Sequence, residues 1–338
     1  MDSLNWKTDI DNDKEVPKIN WTALQEFVIN LRNSKSEKPT TRNCHIHEKY
    51  NLGGLHLARI LEFDDGMKWI ARIQLHKLTS ELEKRLFHEI STLSILHEQT
   101  DVPVPEVYGY ETNPDLIGRA FMIMQFIPGN TGTDFTSFRS KDIPPQFQAK
   151  FYHEMARIHA SLTTSKAFDI PSPSNKDDVI ESTGDYPRRI KEHRFDITVR
   201  NEGPFPLKHA DFLHSNVIVD AEFNVLSIID WEHAGTVPWE RVEFPMFLYT
   251  LPPALDFPWR YDDDGKPLAD DTRKLWEKRE EYVRSVAEAE KEMASDDGLS
   301  SILGSIYYQN LSSCYTRALD DFTPDRSVGV PINKGNED

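Results

Sequence analysis

The sequence predicts an α+β fold in two lobes, a small one built on a five-stranded antiparallel sheet and a larger, mostly α-helical one. Three observations predict it. Five strand-like pieces lie between residues 50 and 126 with one helix inserted after the third, the last hundred residues carry helical patterns, and 338 residues are enough for one large or two small domains. The boundaries expected from this punctuation are an N-terminal extension over 1–40, an N-lobe over 41–127 and a C-lobe over 128–338.

The extension is polar and acidic apart from one amphipathic stretch, Trp21 to Leu31, where Leu24, Phe27, Val28 and Leu31 recur at helical spacing. Asn33–Thr41 reads as a loop. From Tyr50 the chain looks extended: Leu55, Leu57 and Arg59–Phe63 precede the turn residues Asp64-Asp65-Gly66, and Lys68–Leu75 alternates, which predicts an antiparallel hairpin. Leu78 to Glu98 sets Leu82, Leu86, Ile90, Leu93 and Leu96 on one helical face, with Glu89 elsewhere on the helix. Glu106–Tyr110 and Arg119–Phe126 complete the strand-like pieces, and Pro128-Gly129-Asn130 breaks the chain.

Beyond the break, Pro144–Leu162 reads as a helix, Phe168–Gly184 as a polar linker and Pro187–Val199 as a mixed basic stretch. Asn216–Val219 and Val225–Asp230, separated by Asp220–Asn224, predict a second hairpin. Helices are expected over Trp239–Leu248, Thr272–Met293 and Leu299–Leu319.

Composition narrows the function classes. A formal net charge of -17 repels phosphate backbones and anionic lipid, so neither nucleic acid nor membrane is an expected partner. Two cysteines, Cys44 and Cys314, make no disulfide framework, and the acidic N-terminus lacks the pattern of a secretory signal, so the cytoplasm is the expected location. Cys44-His45-Ile46-His47 has no second ligand pair at zinc spacing, and His153-Glu154 with His159 misses the spacing of a metalloprotease helix.

The chemistry concentrates in His209-Ala-Asp211-Phe-Leu-His-Ser-Asn216 and Ile228-Ile-Asp230-Trp231-Glu232. Phosphoryl transfer needs a carboxylate to orient the attacking hydroxyl, together with oxygen ligands for a divalent ion. Asp211 suits the first task, and Asn216 and Asp230 the second. A hairpin between Asn216 and Asp230 would return one ligand to the other.

With those residues in that order, the chain resembles the aminoglycoside phosphotransferase and choline kinase superfamily, most of all its fungal-type phosphotransferase members. The resemblance runs from about Tyr50 to Leu251. It implies a bilobal protein-kinase-like fold, ATP and Mg²⁺ as cofactors, and a small-molecule acceptor. It further implies Gly53 and Gly54 over the phosphates, Arg72 on the third strand paired to Glu89, and Gln125, Phe126 and Ile127 as the hinge against adenine. Arg72 departs from the lysine usual in the superfamily; it keeps the charge with a different geometry, and Lys68 and Lys77 flank it. Asp230-Trp231-Glu232 followed closely by Pro238-Trp239-Glu240 leaves no room for a protein-kinase activation segment, which disfavours a protein substrate.

Trp231, Glu232, Trp239 and Glu240, with Trp259, are expected to line an acceptor pocket. Aromatic faces with carboxylates suit a cationic amino-alcohol or natural product. The leading expectation is therefore an ATP- and Mg²⁺-dependent kinase of a small-molecule hydroxyl. The alternatives are a catalytically inactive scaffold or ligand-binding protein of the same fold, and the same fold catalysing a different small-molecule reaction. Oligomeric state and acceptor identity are not legible.

Overall fold

The computed structural model describes residues 6–10, 13–37, 41–131, 143–164, 205–250, 256–263, 266–296 and 298–313. Its elements, in chain order, are α1 (Trp21–Ser34), β1 (Cys44–Leu52), β2 (His56–Phe63), β3 (Lys68–Gln74), α2 (Ser80–Gln99), β4 (Val107–Glu111), β5 (Phe121–Gln125), β6 (Asn130–Thr131), α3 (Pro145–Thr164), β7 (Leu207–Lys208), β8 (Val217–Val219), β9 (Val225–Ile228), β10 (Gly235–Thr236), α4 (Asp270–Glu292) and α5 (Gly298–Leu303).

Strands β1 to β5 form one antiparallel sheet in the order β1-β2-β3-β5-β4. Alternation along β3 explains its placement between two layers. Trp69, Ala71 and Ile73 are buried on one face, against a cluster that includes Leu24 and Val28 of α1, while Ile70 packs toward the cluster containing Leu86, Leu93 and Leu96 of α2. Lys68 and Arg72 share the Ile70 face. Met122 and Met124 of β5, opposite Arg72 and Ile70, join the same cluster as α3, α4 and the second hairpin, so the sheet is continuous in packing with the helical part.

Helix α1 is capped by Asn20, whose side chain accepts from the Ala23 N–H, and closes over the sheet. Lys7 and Tyr50 exchange backbone hydrogen bonds at 2.8 and 3.0 Å, so the chain ahead of α1 also lies along β1. Val28 is fully buried. Val28→Ala is expected to lower the unfolding free energy by about 2 kcal/mol, the transfer of two methyl groups plus an unfilled gap. Denaturant unfolding would check this; an unchanged midpoint would show that α1 is not part of the core.

Several boundaries differ from expectation. The first strand starts at Cys44, and Leu57 with Arg59–Phe63 belongs to one strand, β2. Residues 239–248 are not a helix: two 3-10 turns, Trp239–Arg241 and Met246–Leu248, flank Pro245, whose ring forbids a continuous helix. The last predicted helix is broken at Gly304; residues 298–303 and 306–313 are helical. Glu89 lies on the buried face of α2. The expected linker over Phe168–Gly184, the stretch Pro187–Val199 and Cys314 lie outside the described residues.

The second hairpin pairs β8 with β9, and β6 adds to its other edge. Gly129, just before β6, packs tightly: a Cβ there would sit 2.6 Å from Ile218 and 2.7 Å from the Val219 carbonyl oxygen. Among the described residues no helix is long and apolar enough to cross a membrane.

Candidate active site

The loop from His209 to Asn216 is held by its own side chains. His209 accepts from the Asp211 N–H at Nδ1, 3.1 Å away, and Nε2 lies 2.9 Å from the Ile229 carbonyl, an arrangement that needs the proton on Nε2. Burial lowers the His209 pKa, which favours this neutral tautomer. Asn216 donates from Nδ2 to the Asp211 carbonyl at 2.8 Å and to its carboxylate Oδ2 at 3.0 Å. Asn216 is buried whereas Asp211 is exposed, so a fixed amide holds a carboxylate that faces solvent.

Asn216 also accepts from the Ile229 N–H through its backbone carbonyl, at 2.9 Å. The hairpin β8–β9 therefore delivers Asp230 beside the Asp211 loop, as the spacing predicts. Asp230 has a φ of 67°, a left-handed conformation uncommon outside glycine, that turns the chain out of strand β9.

Arg72 is the centre of charge. Its Nη1 donates to both Glu89 oxygens at 2.5 and 2.6 Å, and Nη2 donates to Asp230 Oδ1 at 2.8 Å. Glu232 lies 3.7 Å from the same Nη2, and His56 Nδ1 lies 3.9 Å from Glu232. One guanidinium meets three carboxylates, so the cluster keeps an excess of negative charge. Burial raises the Glu89 pKa against the pull of Arg72, and the neighbouring Asp230 and Glu232 push in the same direction as burial. Arg72 stays protonated, the three carboxylates more than offsetting its burial. His56 is driven down to about 3, first by burial and then by Arg72, and is neutral.

The expected residues thus fall into two groups. Asp211, Asn216, Asp230, Arg72 and Glu89 come together. Lys68 pairs instead with Glu62 at 3.5 Å, and Lys77 lies exposed beyond the end of β3. Gly53 and Gly54 form the exposed β1–β2 turn, with a Gly53 N–H to His56 carbonyl hydrogen bond of 2.9 Å; a Cβ at Gly54 would meet nothing within 4 Å. Gln125 ends β5 opposite Trp69 and bonds the backbone of Glu106, and Phe126 and Ile127 follow it, half-buried.

The residues expected to line an acceptor pocket are placed as follows. Trp231 is fully buried, donates from Nε1 to the Ile228 carbonyl at 3.0 Å and packs edge-on to His209. Trp239 and Glu240 are buried as well, and Glu232 belongs to the Arg72 cluster. Trp259 is 71% exposed and stacks on Phe257. Apolar burial leaves Trp231 and Trp239 no free face for an acceptor. Sequence reasoning missed His56, which the β2–β3 register puts on the Arg72 side of the sheet two residues from Ala58, the partner of Arg72.

The donor set fits a magnesium ion. Asn216 Oδ1 and Asp230 Oδ2 have no hydrogen-bond partner among the described residues, and both are hard oxygen donors. Among those residues no three His, Cys, Asp or Glu side chains gather into a metal site by themselves. Mg²⁺ is commonly held by one or two carboxylates with the remaining positions left to phosphate oxygens and water.

Comparison with known proteins gives three kinds of match. A stretch of 74 residues is 36% identical to Probable acyl-CoA dehydrogenase IBR3 of Arabidopsis thaliana, covering 22% of this chain and 9% of that protein's length. Among solved structures, a protein classed as an aminoglycoside phosphotransferase from Ralstonia eutropha JMP134 aligns over 90% of this chain and 99% of its own, at 16% identity and a TM-score of 0.47. A macrolide 2'-phosphotransferase type I aligns over 88% and 94%, at 15% identity and a TM-score of 0.43. The model of the phosphotransferase enzyme family matches residues 53–240, more than half of the chain, and that span contains the glycine turn, Arg72, Glu89, Asp211, Asn216 and Asp230. The chain belongs to the phosphotransferase enzyme family.

Proposed function

We propose that this phosphotransferase moves the γ-phosphoryl group of ATP, with Mg²⁺, to the hydroxyl of a small-molecule acceptor. The observation that carries the reading is the buried Asn216 amide fixing the exposed Asp211 carboxylate on a loop bonded to the segment that bears Asp230.

In this mechanism Asp211 orients the acceptor hydroxyl and accepts its proton at the carboxylate, while Asn216 and the His209 imidazole keep the carboxylate and its loop from rotating away. Asn216 Oδ1 and Asp230 Oδ2 are the oxygens that would hold the metal, which supplies charge neutralisation on the transferred group. Arg72, aimed by Glu89, presents its guanidinium to nucleotide phosphates; the open backbone at Gly53 and Gly54 covers them, and Gln125, Phe126 and Ile127 form the edge against the base. The carboxylate-rich surroundings of Arg72 keep it ionised at every physiological pH. Burial of Trp231 and Trp239 withdraws the argument for a cationic acceptor, so the acceptor is defined here by its hydroxyl alone.

Thermal unfolding tests the nucleotide and metal part. ATP with Mg²⁺ at about 100 times its Kd should stabilise the wild type by ~2.7 kcal/mol, a midpoint rise of about 4 °C for a chain of this size. ATP alone should give less, and Asp230→Asn should lose the Mg²⁺-dependent part. No rise at saturating nucleotide would instead favour a scaffold of the same fold.

A further inference from the structure

A cavity of about 390 Å³ lies between α4 and the turn from α5 into residues 306–310. Its size is within the ~300–1,000 Å³ of small-molecule sites. Phe244, Val283, Leu303 and Ile306 give it apolar walls. Arg279 projects into it from α4, and its partners are all neutral: the Thr250 hydroxyl, the Gln309 amide oxygen at 3.5 Å, and the Phe244 ring 4.0 Å from the guanidinium carbon. Arg279 is half-buried, and among the described residues no carboxylate lies within ion-pair distance of it. Burial pulls its pKa down to about 10, the mark of a desolvated cation.

Two more groups on this wall are unsatisfied. Among the described residues Trp276 Nε1, one helical turn before Arg279, is a buried donor with no acceptor, and Asn310 Oδ1 is a buried acceptor with no donor. Of the other charged side chains lining the cavity, Arg284 and Glu280 offset each other, so Arg279 sets the sign.

An apolar chamber whose guanidinium meets no carboxylate among the described residues, with an indole N–H beside it that has no acceptor among them, is complementary to an organic anion. We infer that this cavity binds an apolar carboxylate, its carboxylate oxygens taken by the Arg279 guanidinium and the Trp276 N–H and its hydrocarbon or aromatic body held by Phe244, Val283 and Leu303. The inference stands apart from the phosphotransfer reading, because none of these residues holds nucleotide, metal or the Asp211 loop directly. The cavity is nevertheless tied to that loop: Phe244 lies two residues from Met246, whose N–H donates to the carbonyl of Phe212 at 3.1 Å.

Calorimetric titration of the full chain with octanoate, 1-octanol and 1-naphthoate tests it. At least one of the two carboxylates should bind at one site per chain, and octanol should bind at least tenfold more weakly than octanoate. Arg279→Gln should remove the advantage of the acid over the alcohol, Trp276→Phe should weaken the acid several-fold, and Val283→Trp, which fills the chamber, should abolish binding. Thermal midpoints of the variants separate loss of binding from loss of fold. If Arg279→Gln does not fold, the acid-to-alcohol ratio on the wild type and the Trp276→Phe titration decide. Absence of saturable binding by both carboxylates, or equal binding of octanoate and octanol, would overturn the inference.

Discussion

Asp211→Asn is expected to reduce kcat by about 10²- to 10⁴-fold while leaving the ATP- and Mg²⁺-dependent rise in thermal midpoint intact, the range lost when a positioned proton acceptor is removed. The asymmetry follows from the geometry. Asp211 is exposed and touches the rest of the site through Asn216 Nδ2 and the His209 ring, neither of which the change displaces, since the Asn216 amide keeps its 2.8 Å bond to the residue 211 carbonyl. Only the anionic oxygen that meets the acceptor is lost. Phosphorylation of an acceptor and the midpoint shift would be measured on the same preparation. Turnover at the wild-type rate would refute the assignment of Asp211, and loss of both signals would mean that the substitution had disturbed the loop.

Arg72→Met carries the largest expected loss of stability, about 3–5 kcal/mol, because it removes the single cation from among Glu89, Asp230 and Glu232 and leaves Glu89 and Glu232 buried without a cationic partner, His56 beside Glu232 being neutral. For a chain of 338 residues that amounts to a fall of about 4–7 °C in thermal midpoint. The loss should deepen with pH. Glu89 is already raised by burial, and without Arg72 it rises further. A carboxyl whose folded pKa exceeds its unfolded value holds its proton longer in the folded state, so stability is spared below about pH 4 and falls as pH climbs from there to the folded pKa. Unfolding measured from pH 4 to 8 should therefore show wild type and variant diverging upward in pH. Parallel curves would place the destabilisation in packing rather than charge. Arg72→Lys keeps one positive charge and should lose less, although a single ammonium cannot reproduce the fork that spans Glu89 and Asp230.

Much of the site is legible in the order of the amino acids. The succession Asp211, Asn216, Asp230 and the short β-type runs between the last two imply their convergence, because a hairpin is a local device whose turn brings its ends together. Period-two alternation in Lys68–Leu75 likewise identifies a strand, and 3.6-residue periodicity identifies α2. Sequence misleads where a local pattern has two outcomes. Trp231 and Trp239 carry a polar tip on a large apolar body, suited equally to a pocket wall and to a core, and only the presence of His209, Ile228 and Gly298 against them decides for the core. The stretch 239–248 is apolar at helical spacing, yet Pro245 divides it.

Which elements form, and which residues could carry phosphoryl transfer, are written in the chain itself, since backbone propensity, turn chemistry and motif spacing act over a few residues. Long-range packing is what makes α1 part of the sheet's core, buries Glu89 against Arg72, and brings Glu232 and His56 into that cluster. It also leaves Arg279, in a separate cavity, with no carboxylate within ion-pair distance among the described residues. These are relations between residues tens to hundreds of positions apart, such as Arg72 and Asp230, and sheet register together with desolvation, rather than local preference, sets them.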